Sequence, residues 1–121
     1  MQFHCLIYFD PNVAFANTPE ARALLADVGP TIERLRASGH LVTEIPLNMP
    51  QTAVTVRLRD GRLSASDGPF VETKEMLGGI VVIEARDRDE ALDIAGNLPH
   101  AGIGHVEVRP AIDFSQPRPV R

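Results

Sequence analysis

The chain has 121 residues, 44% apolar and 23% charged, with 12 basic against 16 acidic side chains and a net charge of −4. That length predicts one domain with a core of its own, and the acidic balance excludes a general binder of nucleic acid or of acidic membranes. Cys5 is the single cysteine, which excludes an internal disulfide and suits a reducing cytoplasm. No apolar run approaches a membrane span, and Met1-Gln2-Phe3-His4 lacks the basic start of a signal peptide.

Residues 3–9 read as a strand, apolar on both faces, with Phe3, Cys5, Ile7 and Phe9 on one side and His4, Leu6 and Tyr8 on the other. Thr18-Pro19 opens a helix, with threonine as N-cap and proline at the first helical position. Its apolar stripe runs through Leu24, Leu25, Val28, Ile32 and Leu35. Gly29-Pro30 predicts a kink or two short helices, and Gly39 terminates the element. A second strand covers 41–47. Residues 53–66 alternate in polarity around Asp60-Gly61, a hairpin turn signal. The run at 79–85 is a third main strand, with Gly78 and Gly79 allowing a sharp entry into it. Asp87 starts a second helical region, and with Glu90 three residues on it forms a capping-box pattern. Pro99 stops that helix, His100 falls in a loop, and Val106 and Val108 alternate with His105, Glu107 and Arg109 in a last strand. Residues 115–121 read as an extended tail.

The order is strand, helix, strand, hairpin, strand, helix, strand. Without the hairpin this is an α+β, ferredoxin-like βαββαβ unit. Two helices cover one face of a four-stranded sheet, so the other face, with Leu6 and Tyr8, needs a partner. A homodimer packing sheet against sheet supplies one, with a cleft at the interface.

The richest local chemistry lies in 67–75, Asp-Gly-Pro-Phe-Val-Glu-Thr-Lys-Glu. Asp67 is read two ways: as an Asx turn holding the Gly68-Pro69 bend, or as a general base facing a ligand. His4 shares a face with Tyr8, and a His4–Asp67 acid/base pair is one reading of the two. Tyr8, Arg57, Glu72 and Lys74 are candidate ligand-binding residues. Glu72, Lys74 and Glu75 alternatively make a surface salt bridge, and Arg57, Arg59 and Arg62 a solvated hairpin edge. No metal-ligand spacing and no phosphate-loop motif occurs, so neither metal nor cofactor is expected.

The stretch from Asp67 to Gly79, with Leu6-Ile7-Tyr8, residues 52–57, Asp60-Gly61 and residues 106–110, closely resembles the DGPF proteins of the YCII-related superfamily. The resemblance spans residues 1–112 as one domain and leaves 113–121 as tail. It implies a dimeric α+β barrel in bacterial cytoplasm, often encoded beside sigma factors, so a non-enzymatic accessory module acting with a sigma factor is one reading. It also implies acid/base chemistry, since some YCII-like relatives use a His–Asp pair, including in dechlorination of aromatic compounds. Those relatives carry the histidine in the first helix. Residues 18–38 here contain none, so a dyad in this chain would have to be rebuilt elsewhere. The function expected is a small-molecule-binding protein or cofactorless enzyme of proton-transfer type (lyase, isomerase or dehalogenase) acting on a small polar or aromatic ligand.

Overall fold

The computed structural model describes residues 1–117. The last four residues of the expected tail lie outside that range. Six strands and five helices follow in order: β1 (Gln2–Phe9), α1 (Pro11–Ala14), α2 (Pro19–Ala26), α3 (Val28–Ala37), β2 (Leu41–Pro46), β3 (Val54–Arg59), β4 (Arg62–Asp67), β5 (Met76–Glu84), α4 (Arg88–Gly96), α5 (His100–Ile103) and β6 (His105–Pro110). The main sheet runs β2-β5-β1-β6, antiparallel throughout, and β3 pairs only with β4. This is the ferredoxin-like βαββαβ fold with an inserted hairpin. No described helix is long and apolar enough to cross a membrane.

The two-residue alternation of β1 decides the layers. Phe3, Cys5 and Ile7 are buried against Val81 and Ile83 of β5, and α3 and α4 close the core with Ile32, Ala91 and Ala95. Each large apolar side chain so buried contributes roughly 1.5–3 kcal/mol. The opposite face carries Thr43, Val82, His4 and Arg109 across one row of the register and Ile45, Ile80, Leu6 and Glu107 across the next. The described helices pack their buried residues on the Phe3 face instead.

Local signals explain the helix ends. Thr18 Oγ1 accepts from the Ala21 amide at 3.2 Å, with Pro19 behind it at the first helical position. The helical stretch divides at Asp27 into α2 and α3, two residues ahead of Gly29-Pro30. After α3, Gly39 takes φ +82° while its amide donates to Arg36 and that of His40 donates to Leu35, closing a Schellman motif. Asp87 caps α4 through the Glu90 amide at 2.9 Å. Glu90, however, reaches back to the amide and guanidinium of Arg86, one residue before the cap, so the reciprocal half of the expected capping box slips by one position.

Three other elements differ from the sequence reading. Asp10 caps a further helical turn, α1, by accepting from the Asn12 amide, where only a strand end is expected. His100 belongs to α5 rather than to a loop. Strand β5 begins at Met76, so Gly78 and Gly79 lie inside it. Ile7 pairs with Gly79 and Tyr8 with Leu77, which leaves Gly78 as the extra residue of a β-bulge. A Cβ on Gly78 would run into the Phe9 ring, and one on Gly79 would sit 3.2 Å from the Ile45 carbonyl oxygen. The glycines therefore permit close packing within the strand.

Candidate active site

The register of β1 against β6 runs without a break from Phe3 to Tyr8. Tyr8 stands opposite His105, and their rings stack in parallel planes, 2° apart with centroids at 4.7 Å. Residue 75 lies immediately before β5, and the Glu75 carboxylate reaches His105 Nδ1 at 2.5 Å. Glu75, His105 and Tyr8 thus form a chain of contacts, with side-chain exposures of 39% for Glu75 and 55% for His105. A ring nitrogen facing a carboxylate is the one that carries the proton. The geometry thus favours, for a neutral ring, the tautomer in which Nδ1–H donates to Glu75 and Nε2 carries the lone pair.

The segment that carries Glu75 also borders a cleft of about 580 Å³, lined by residues of α1, the turn at 50–51, the end of β4 and the loop into β5, though not by Glu75, His105 or Tyr8 themselves. Its chemistry comes from Asp10, Asp67, Glu72 and Lys74. Asp67 is the last residue of β4. Gly68 follows at φ +92°, and its amide donates to Ala53 at 2.7 Å while its carbonyl accepts from Thr55 Oγ1 at 2.8 Å. The bend is held by those bonds. Among the described residues, no hydrogen bond to the Asp67 carboxylate occurs, so the Asx-turn role expected of it is not seen. Lys74 and Met76 on the cleft wall flank Glu75 in sequence, so the cleft and the His105 group share one segment.

The sequence-predicted residues thus separate into three places. Asp67, Glu72 and Lys74 line the cleft. Tyr8 belongs to the His105 group. His4 lies in the middle of the open sheet face, between Val82 and Arg109. Six residues of extended chain separate it from Asp10 at the cleft, about 20 Å at a strand's rise. A direct His4–Asp67 pair is therefore not formed within one chain. Arg57 is on the hairpin, with its guanidinium 4.4 Å above the Phe70 ring. The surface salt bridge considered for Glu72, Lys74 and Glu75 is replaced by the Glu75–His105 pair. Among the described residues no group of three or more His, Cys, Asp or Glu is placed to hold a metal.

Two further titratable groups sit in the core layer. Burial pushes the Cys5 thiol up to about 11. Burial also holds the His100 imidazole below the usual histidine range, and its Nδ1 is enclosed without a hydrogen-bond partner among the described residues. His40, read as a surface residue, is half-buried, with Ser38 Oγ at 2.7 Å from Nδ1 and Glu90 at 3.4 Å from Nε2.

The profile of the YCII-related domain matches residues 1–115. The chain belongs to that family. It is 34% identical over 113 residues, 91% of each chain, to an uncharacterized protein of Rhizobium meliloti. Among solved structures, this YCII-related chain is similar in fold to a 5-chloro-2-hydroxyhydroquinone dehydrochlorinase from Burkholderia phenoliruptrix, determined in complex with 2,5-dihydroxybenzoquinone. The TM-score is 0.51 at 15% identity, covering 95% of this chain and 97% of that one.

His105 and Glu75 escape a reading of the sequence as site residues because 30 positions separate them. Strand alternation puts His105 on the face of Glu107 and Arg109. Only the register of β6 against β1, and the start of β5 directly after residue 75, bring it to Glu75.

Proposed function

We propose that this YCII-related chain binds a small polar or aromatic molecule and performs proton transfer on it without a cofactor, at the Glu75–His105–Tyr8 group and the adjoining cleft. The observation that carries this reading is the carboxylate on His105 Nδ1. It fixes the tautomer, leaves Nε2 free to accept a proton, and stabilises the imidazolium that results. The Tyr8 ring holds the imidazole plane. Asp67, whose carboxylate has no hydrogen bond among the described residues, serves as the second carboxylate, orienting a ligand hydroxyl or taking a proton, and Lys74 balances the charge. In this reading two copies face one another through the open sheet face, and His4 lies in that interface. The fold neighbour's dihydroxyquinone complex supports a hydroxylated aromatic as the first ligand class to try.

The test is a panel of hydroxylated and halogenated aromatics, including 2,5-dihydroxybenzoquinone, assayed for binding and turnover. His105→Gln and Asp67→Asn should each lower turnover at least ~100-fold, the ordinary worth of a general acid/base group, while Tm stays within about 2 °C. A His105→Gln variant with wild-type turnover, or a wild-type chain that binds nothing in the panel at millimolar concentration, contradicts the proposal.

A further inference from the structure

A second set of reactive side chains lies between α3 and α4, and its cleft shares no residue with the one bordered by the Glu75 segment. Ser38 caps the C-terminus of α3, and His40 immediately precedes β2. Ser38 Oγ is 2.7 Å from His40 Nδ1. On the other side of the ring, Nε2 is 3.4 Å from Glu90 Oε1 of α4. Glu90 is itself held in place: Oε1 accepts from the Arg86 amide at 3.1 Å and Oε2 from the Arg86 guanidinium at 2.7 Å. A carboxylate beside Nε2 favours the ring proton there, so Nδ1 keeps the lone pair and accepts from the serine hydroxyl. The other acceptor within reach of that hydroxyl is the Leu35 carbonyl at 3.1 Å, which already accepts from the His40 amide at 3.0 Å. Ser38 is exposed, whereas the side-chain exposure of His40 is 32% and that of Glu90 18%, so the hydroxyl is outermost and the carboxylate innermost.

We propose that Ser38, His40 and Glu90 form a nucleophilic site that hydrolyses small carboxylic esters. Hydroxyl, imidazole and orienting carboxylate stand in the order that such chemistry needs. Ser38 and His40 border a cleft of about 490 Å³, room enough for a small ester. Arg34 lines the same cleft. Its Nη2 donates to Thr31 Oγ1 at 2.9 Å and lies 3.9 Å from Asp27, while Nε and Nη1 make no bond among the described residues. Those nitrogens are the donors for the oxygen that turns negative in the tetrahedral adduct. Attack forms the Oγ–C bond as the hydroxyl proton passes to Nδ1. The C–O bond to the alcohol then breaks, and the alcohol leaves with that proton. Water attacks the acyl-serine by the same route and releases the acid, so the cycle consumes only ester and water.

A fluorophosphonate, which phosphonylates an activated serine with loss of fluoride, tests the proposal on the full chain, with mass spectrometry as the readout. Ser38 should be labelled at least ~100-fold faster than Ser64 and Ser66, two exposed serines of the hairpin. Hydrolysis of p-nitrophenyl acetate by the wild type should be lost in Ser38→Ala. His40→Gln should slow the labelling of Ser38 about 100-fold. Glu90 acts through the imidazole and is a positioning residue. Glu90→Gln should slow labelling at least ~10-fold and, in ¹⁵N spectra, move the His40 proton off Nε2. Labelling of Ser38 no faster than that of the hairpin serines overturns the proposal, whether or not the variants fold. So does a Ser38→Ala chain that hydrolyses the ester like wild type, a His40→Gln chain that is labelled like wild type, or a His40 tautomer indifferent to Glu90.

Discussion

Gly78→Ala is the substitution most informative about how the fold builds the site. Gly78 is the extra residue of the β5 bulge, and the side chain it would gain meets the Phe9 ring. Its φ lies outside the left-handed region, so an alanine there suffers no backbone strain. The cost is overpacking, about 1–3 kcal/mol. Against it stands the reduced freedom of the unfolded chain, which returns about 0.4–1 kcal/mol. The net expectation is a loss of about 1–2 kcal/mol, or roughly 4–8 °C in Tm for a chain of this size. Phe9 cannot swing away freely, because its ring packs edge-on against Phe15 with centroids 5.8 Å apart. Phe9→Leu should therefore relieve the clash, and the double variant should recover at least ~0.5 kcal/mol relative to additivity. Urea unfolding of the four proteins measures the cycle. Because Tyr8 adjoins Phe9, Gly78→Ala should also shift the NMR signals of His105. A variant within ~0.5 kcal/mol of wild type, or an additive cycle, would refute the reasoning.

The remaining predictions concern titration. Cys5, with its thiol at about 11, should resist a thiol reagent at pH 8 in the folded chain and react promptly in urea, so that labelling follows unfolding. His100 is held neutral by burial, so its pKa is lower folded than unfolded. The unfolded state then binds more protons below about pH 6.5, and the stability His100 contributes is full above that value and declines as pH falls through it. His100→Leu should flatten the pH dependence of urea midpoints in this window, and an unchanged slope would contradict the assignment.

Much of the fold is legible in the sequence, and for physical reasons. Thr18-Pro19, Gly39, Asp60-Gly61 and Asp87 act through neighbours a few residues away, and each takes the expected local role. Asp60 and Gly61 both adopt positive φ, 51° and 74°, as the tightest hairpin turn requires. The faces of β1 also follow from alternation alone. What escapes a local reading depends on register. The pairing of β1 with β6 sets His105 beside Tyr8, and β5 starts directly after Glu75. In the same way, the charged run at 72–75 gives no sign that Glu75 points to a partner 30 residues on while Glu72 and Lys74 face the cleft. His4 and Tyr8 share a face, yet the length of the strand separates them, so they serve different places.

The most direct test of the account is the tautomer of His105, read from two-bond ¹H–¹⁵N couplings in the wild-type chain and in Glu75→Gln. The account predicts that the neutral form of the ring carries its proton on Nδ1 in wild type and shifts toward the Nε2–H form when the carboxylate is removed. An Nε2–H ring in wild type, or a tautomer indifferent to Glu75, would contradict it.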